Sequence, residues 1–281
     1  MKALVVVVLY NCEISESETL RSLARHANLV PSDWKFLVYD NSPVEGVDVA
    51  LKTCLPNVGI QYVAAKENGG VLAAYSEGLK IARVQRDVWL VLLDQDTELS
   101  QDYILELNAA MRSAGPSNVA VVPIIRSQEF HVSPLVGRYF KRPLVSSGEN
   151  CCRYVGFINS GAALRVDFIE SIGGFHRDLW LDGLDHWISH QISKAGKRVF
   201  VLPVVLLHEL SVLGGDRLSA FRVASIYAAE RVLFREAMDP LQKAIYLVRL
   251  VARFFRTYLK EGDSDLRATI WAQMLDIIFG R

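Results

Sequence analysis

The sequence predicts an α/β fold: a mainly parallel sheet flanked by helices, followed by a C-terminal helical extension. Three observations carry that reading. Short apolar runs alternate with amphipathic stretches through the first half of the chain. The first run, Ala3–Leu9, is seven consecutive apolar residues, the pattern of a strand covered on both faces. Beyond Asp216 the pattern is helical, broken only at Asp239-Pro240 and Glu261-Gly262-Asp263.

Each element follows from its own signal. Ser17 to Ala27 places Leu20, Leu23, Ala24 and Ala27 at helical spacing. Phe36–Tyr39 is a short strand that stops at the turn cluster Asp40-Asn41-Ser42-Pro43. Ile60–Ala64 is a third strand, followed by Glu67-Asn68-Gly69-Gly70 and a helix from Val71 to Val84. Val88–Leu93 is wholly apolar and therefore central, and it ends on Asp94-Gln95-Asp96. A helix over Gln101 to Ser113 and a strand over Val119–Ile125 complete the first half. Arg126 to Tyr154 is polar and irregular and reads as a long loop or flap. Order resumes at Val155, with a helix expected over Leu184–Ala195 and an apolar run at Val199–Leu207. The domain reading is a catalytic unit over 1–215 and a helical region over 216–281.

Composition narrows the function. The chain has 281 residues, 31 basic and 31 acidic, with 51% hydrophobic and 22% charged residues. That excludes intrinsic disorder, and the lack of a basic excess argues against nucleic acid as a partner. The balance hides an asymmetry: residues 216–281 hold 11 basic and 8 acidic groups, so residues 1–215 carry 20 and 23. The four cysteines, Cys12, Cys54, Cys151 and Cys152, are too sparse for a disulfide scaffold and fit a reducing compartment. The N-terminal apolar run is too short for a spanning helix and lacks a leader's cleavage signal, so a cytoplasmic protein is expected.

Ligands of open parallel sheets bind outside the carboxyl ends of the strands. Tyr10-Asn11, Asp40-Asn41 and Asp94-Gln95-Asp96 all fall there. Residues i and i+2 near a strand end point the same way, so Asp94 and Asp96 repel unless a hard divalent cation such as Mg²⁺ or Mn²⁺ joins them. A second constellation, Asp182-Gly183-Leu184-Asp185, follows Gly173-Gly174-Phe175 and the Trp180-Leu181 pair. A carboxylate in that setting can take a proton from a hydroxyl, while Asp182 can also serve as a helix N-cap. His208, after the last apolar run, can complete a metal site. His186 and His190 have zinc-ligand spacing but lack the Glu of an H-E-x-x-H motif. There is no G-x-G-x-x-G after the first strand, no Walker A sequence and no G-x-S-x-G elbow, which disfavours nicotinamide, P-loop and α/β-hydrolase chemistry.

Taken in order, Val7 to Asn11, Tyr39-Asp40-Asn41-Ser42, Glu67 to Gly70, Leu92 to Thr97, Asn159-Ser160-Gly161, Ile172 to Phe175, Asp182 to Asp185 and His208 resemble bacterial family 2 glycosyltransferases of the GT-A fold. The Leu93-Asp94-Gln95-Asp96 form is most similar to the rhamnosyltransferase branch. The resemblance implies that Asp40 reads the nucleobase, with Tyr10, Asn11, Lys66, Asn68 and Gly69 nearby. It places Asp94 on the nucleotide sugar, Asp96 and His208 at the metal, and Asp185 as catalytic base. Trp180, Asp182, Trp187, Asn159, Ser160 and Gly161 would face donor or acceptor sugar, with glycine backbone approaching the donor. The implied reaction is inverting and metal-dependent. It moves a sugar, leaning to rhamnose from dTDP-rhamnose, onto a lipid-linked cell-surface polysaccharide such as O-antigen. A UDP-galactose or UDP-hexosamine donor, nucleotidyl transfer on the same fold, and a non-catalytic scaffold subunit are the alternatives.

Residues 241 to 260 carry Lys243, Arg249, Arg253, Arg256 and Lys260 and no acid. Leu241, Ala244, Val248, Val251, Phe255 and Leu259 form an apolar stripe on the same helix. The pattern fits either peripheral contact with a membrane surface or a core-packed helix with a solvated basic edge, and leaves a homo-oligomer contact open.

Overall fold

A computed structural model describes residues 1–43, 59–65, 67–128, 130–137, 142–143, 148, 150–151, 154–207, 220–258 and 264–279. Lys66 and His208, both expected at the site, lie outside the described residues.

The apolar run at the start forms β1 (Ala3–Leu9), every residue of it buried. Its side chains alternate between two cores: Leu4, Val6 and Val8 enter one, while Ala3, Val5, Val7 and Leu9 enter the other. That is why no polar residue interrupts the strand. α1 (Glu18–Arg25) starts on the N-cap Ser17, whose hydroxyl accepts from the Leu20 amide. β2 (Trp34–Asp40) and β3 (Gly59–Ala64) lie parallel to β1 on one side. The chain then returns through α2 (Gly70–Gln85) to β4 (Trp89–Asp94), parallel to β1 on its other side. β1 is therefore the topological switch point, and its carboxyl end opens between those of β2 and β4.

α3 (Gln101–Ser113) leads to β5 (Asn118–Ser127). The stretch read as an irregular loop contains short strands: β6 (Phe130–Ser133), β7 (Leu135–Val136), β8 (Arg142–Pro143) and β9 (Asn150–Cys151). β7 sits between β8 and β10 (Val155–Gly156) in a small separate sheet. β11 (Ala162–Arg165), which the sequence reading did not separate out, inserts antiparallel between β4 and β5. After α4 (Val166–Ser171) and α5 (Leu184–Lys194), β12 (Arg198–Leu207) returns parallel to β5. The main sheet runs β3-β2-β1-β4-β11-β5-β12-β9, with β6 branching from β5.

Three helices close the described chain: α6 (Ala220–Glu236), α7 (Pro240–Tyr258) and α8 (Ser264–Phe279). α6 faces two ways. Ala229 and Leu233 join the main core beside α5, whereas Tyr227 joins a smaller cluster with Tyr246, Leu250 and Ile270. α7 and α8 rest on that smaller cluster.

Candidate active site

The three sequence features at the strand ends come together. Asn41, just past β2, is buried and donates from its own amide to Leu9 O (2.8 Å). Its side chain donates to Gly70 O (3.1 Å) and accepts from the Gly69 amide (3.2 Å). It thereby fixes the start of α2 against the end of β1. Asn68 adds a bond from the Gly70 amide (3.0 Å). Asn11 adopts a left-handed conformation (φ 48) and donates to Ser42 Oγ (2.9 Å). Asp40 is buried, with one oxygen accepting from the Ser42 amide (2.8 Å) and the other from Tyr62 OH (2.7 Å). A carboxylate has about four lone-pair sites, so those two bonds hold it while leaving it able to accept from a ligand.

The acidic turn after β4 is locked from the opposite side. The Thr19 hydroxyl, buried at the start of α1, lies 2.5 Å from Asp94 O and accepts from the Thr97 amide (3.0 Å). Ser17 Oγ donates to Gln95 O (2.8 Å), and Gln95 Oε1 accepts from the Tyr10 amide (2.7 Å). The tyrosine ring itself is exposed at the mouth.

Asp94 is the hub. β11 pairs Ala162 with Leu92 in antiparallel register, so Ser160 arrives opposite Asp94. The serine hydroxyl donates to Asp94 Oδ2 at 2.5 Å. Tyr75 OH approaches Asp94 Oδ1 at 3.5 Å from α2. Burial pushes the Tyr75 hydroxyl well above its ordinary range, and the charges of Asp94 and Asp185 push it further. One buried phenol thus feels both the carboxylate at the strand end and the carboxylate in the first turn of α5. Asp185 Oδ1 accepts from the His186 amide (2.6 Å), and a helix N-terminus favours negative charge there. Phe175 packs on the fully buried Tyr75 with ring centroids 6.0 Å apart.

Asp40 and Asp94 at the carboxyl ends of β2 and β4, on either side of the switch-point strand β1, are what the sequence resemblance anticipates. A glycosyl transferase family 2 model matches residues 4–173, more than half the chain. The chain belongs to glycosyl transferase family 2. Solved structures agree on a GT-A fold. A mannosyltransferase from Pyrobaculum calidifontis, in complex with GDP-Man and Mn²⁺, aligns over 100% of this chain and 88% of its own, at TM-score 0.59 and 17% identity. S. aureus TarS 1-349 aligns over 99% and 89%, at TM-score 0.56 and 14% identity. TarS 1-349 in complex with UDP-GlcNAc aligns over 99% and 82%, at TM-score 0.62 and 13% identity. No curated protein matches the chain.

Within this glycosyltransferase several residues sit differently from expectation. Asp182 does not cap α5: Gly183 holds the N-cap position at φ 76, and no side chain bonds there. Both Asp182 oxygens turn to α6 instead, one pairing with Arg222 (3.0 Å) and the other accepting from Ser225 Oγ (2.7 Å). Trp187 is buried, its ring edge-on to His176 at 5.5 Å. Gly161 has φ 78 and a Cβ there would meet Pro123 Cγ at 2.9 Å and Leu206 Cδ1 at 3.1 Å. Its small size therefore serves core packing between strands. Gly70 (φ 65) is tighter still, since a Cβ would fall 2.2 Å from Trp180 O. That contact ties α2 to the segment before Asp185. Asn159 lies beside Ser160, its side-chain oxygen buried without a hydrogen-bond partner. The sequence reading missed Tyr75, Thr19 and Asn41 as site-builders. Asn41 stood in a quoted motif, but Tyr75 and Thr19 look like ordinary core residues in their helices.

Asp96 is exposed, two residues past the end of β4. Partial burial, and then the charges of Glu16, Asp40 and Asp96, raise the Cys12 thiol above its ordinary value, against the opposing charge of Arg21. Among the described residues no three His, Cys, Asp or Glu side chains form a metal cage. A single exposed carboxylate still fits Mg²⁺ or Mn²⁺, which commonly bind one or two carboxylates and take further oxygens from substrate phosphates and water.

Proposed function

We infer that this family 2 enzyme is an inverting, metal-assisted transferase that moves a sugar from a nucleotide sugar to a saccharide hydroxyl. The observation that carries this reading is Asp94 at the carboxyl end of β4, held by Ser160 and approached by the buried Tyr75, in a chain that belongs to this family. In this reading residues 1–215 form the catalytic unit and 216–281 a helical region with its own contacts. Asp40, Tyr10, Asn11, Asn68 and Gly69 cradle the nucleotide, with Lys66 near it. Asp94 orients the donor sugar. Trp180, Asn159 and Ser160 border the sugars. Asp96, with His208, would hold Mg²⁺ or Mn²⁺, which would neutralise charge developing on the leaving diphosphate.

Asp185 accepts the proton of the acceptor hydroxyl. That oxygen forms a bond to the anomeric carbon as the bond to the diphosphate oxygen breaks, and the nucleoside diphosphate leaves with the electron pair. One displacement inverts the anomeric centre. The fixed Asp185 carboxylate contributes as a positioned general base. The bound GDP-Man and UDP-GlcNAc of the structural neighbours support the donor class. The Asp94-Gln95-Asp96 form supports dTDP-rhamnose within it, and a lipid-linked cell-surface polysaccharide as acceptor. The membrane-face location in the cytoplasm follows from that acceptor.

The test pairs a nucleotide-sugar panel, read by thermal shift with and without Mn²⁺, with the variant Asp185→Asn. The preferred donor raises the unfolding midpoint of both proteins by mass action. Transfer falls about 10²–10⁴-fold in the variant. Full transfer by the variant would remove Asp185 from the chemistry. A midpoint raised by UDP-galactose and not by dTDP-rhamnose would reassign the donor.

A further inference from the structure

α7 is apolar on two faces, and among the described residues one of them is covered. Tyr246 and Leu250 are buried in the small cluster, with Phe254 packed against it. The other arc is open: Leu241 is 55% exposed, Val248 69%, Val251 38% and Phe255 62%. Leu241, Val248 and Phe255 recur every seven residues and so stack along one line of the helix. At the C-terminal end of that line Phe254 and Phe255 meet edge to face at 5.8 Å, and Phe254 touches Trp271 of α8 at 5.6 Å. Trp271 is itself exposed, so the open patch continues onto a second helix.

The charges border this arc on one side. Arg249 and Arg256 flank it and are exposed. Arg253, further round, is already spent on Glu230 (2.9 Å to each oxygen). Lys243 lies over the Phe234 ring, 5.3 Å from its centre. α7 contains no acidic residue.

We propose that this face of α7, with Trp271, docks on an anionic lipid bilayer surface. The helix lies in the interface plane, with Val248, Val251 and Phe255 at the acyl boundary and Arg249 and Arg256 against lipid phosphates. At 1.5 Å per residue it is about 28 Å long, which gives the contact its footprint. No described helix is long and apolar enough to cross a membrane, so the contact is peripheral. A second copy of the chain is the weaker occupant. An isologous contact would set Arg249 and Arg256 against their own copies, and the helix has no acid to answer them. The inference rests on neither the donor nor the transfer step, so the failure of either leaves the other standing.

The test is co-sedimentation of the full chain with sucrose-loaded vesicles, either phosphatidylcholine alone or phosphatidylcholine mixed with phosphatidylglycerol. The protein sediments with the mixed vesicles and stays in solution with phosphatidylcholine alone. Arg249→Gln with Arg256→Gln lowers partition about 25-fold, about fivefold for each guanidinium near an anionic surface. Val248→Ser with Phe255→Ser lowers it about a hundredfold. Both pairs change exposed side chains, and an unchanged circular dichroism spectrum confirms that each variant is folded. Absence of binding to mixed vesicles, equal binding to both vesicle types, or binding that survives both variant pairs overturns the proposal. So does a dimer in sedimentation velocity that Val248→Ser with Phe255→Ser dissolves, because the occupant is then a second copy.

Discussion

The carboxyl edge of the sheet and the outer face of α7 obey opposite rules. At the sheet edge Asp40 and Asn41 are buried and answered, Asp40 by Tyr62 and Ser42 and Asn41 by Gly69 and Gly70, and the half-buried Asp94 is answered by Ser160. On α7 apolar groups are exposed and unanswered: Leu241, Val248 and Phe255. A buried polar group without a partner costs about 1–3 kcal/mol, so the first arrangement fixes geometry. An exposed apolar group costs the fold little and retains its transfer free energy for a contact outside it. The first region is built for one shape, and the second keeps its stabilisation in reserve.

Three truncations, read by urea unfolding, sharpen that contrast. Leu92→Ala lies in the middle of the sheet, fully buried in the larger core, and is expected to cost about 4–5 kcal/mol because surrounding strands cannot close on the cavity. Leu250→Ala makes the same deletion in the small cluster, where the described buried members are only Tyr227, Tyr246, Leu250 and Ile270. Its neighbours are helices that can settle, and about 2–3 kcal/mol is expected. Equal losses at the two leucines would mean that the helical region is as rigid as the sheet. Val248→Ser, on the open arc, should change stability by less than about 0.5 kcal/mol. A loss near that of Leu250→Ala would show that the arc is already packed in solution.

What the sequence disclosed and what it withheld divide along physical lines. β1 and β4 were legible because strands covered on both faces tolerate no polar interruption, and Ala3–Leu9 has none. Asp94 and Asp96 were legible because carboxylates directly after such a strand call for a reason. β11 was not, since four residues carry no period and nothing in Ala162–Arg165 encodes its reversed direction. Tyr75 was hidden because an aromatic residue on an amphipathic helix looks like core, and it is core; only its hydroxyl reaches the site. The pairing of Asp182 with Arg222 and Ser225 spans some forty residues and has no local signature. For α7 the apolar stripe was visible, but a helix with two apolar arcs does not announce which one the protein covers. Lys66 and His208 fall outside the described residues, so their expected roles rest on the resemblance.

The reversed strand β11 also sets a schedule. Asp94 and Ser160 are 66 positions apart, yet the carboxylate gains the serine hydroxyl as a donor only when that later segment is in place. At synthesis rates of about 5–20 residues per second, that interval is about 3–13 seconds. During it β1 to β4 can assemble while the acidic turn remains open to water. A growing chain therefore lays down β1 to β4 before the strand that closes their acidic turn. The strand that closes the site arrives only after the scaffold that must hold it.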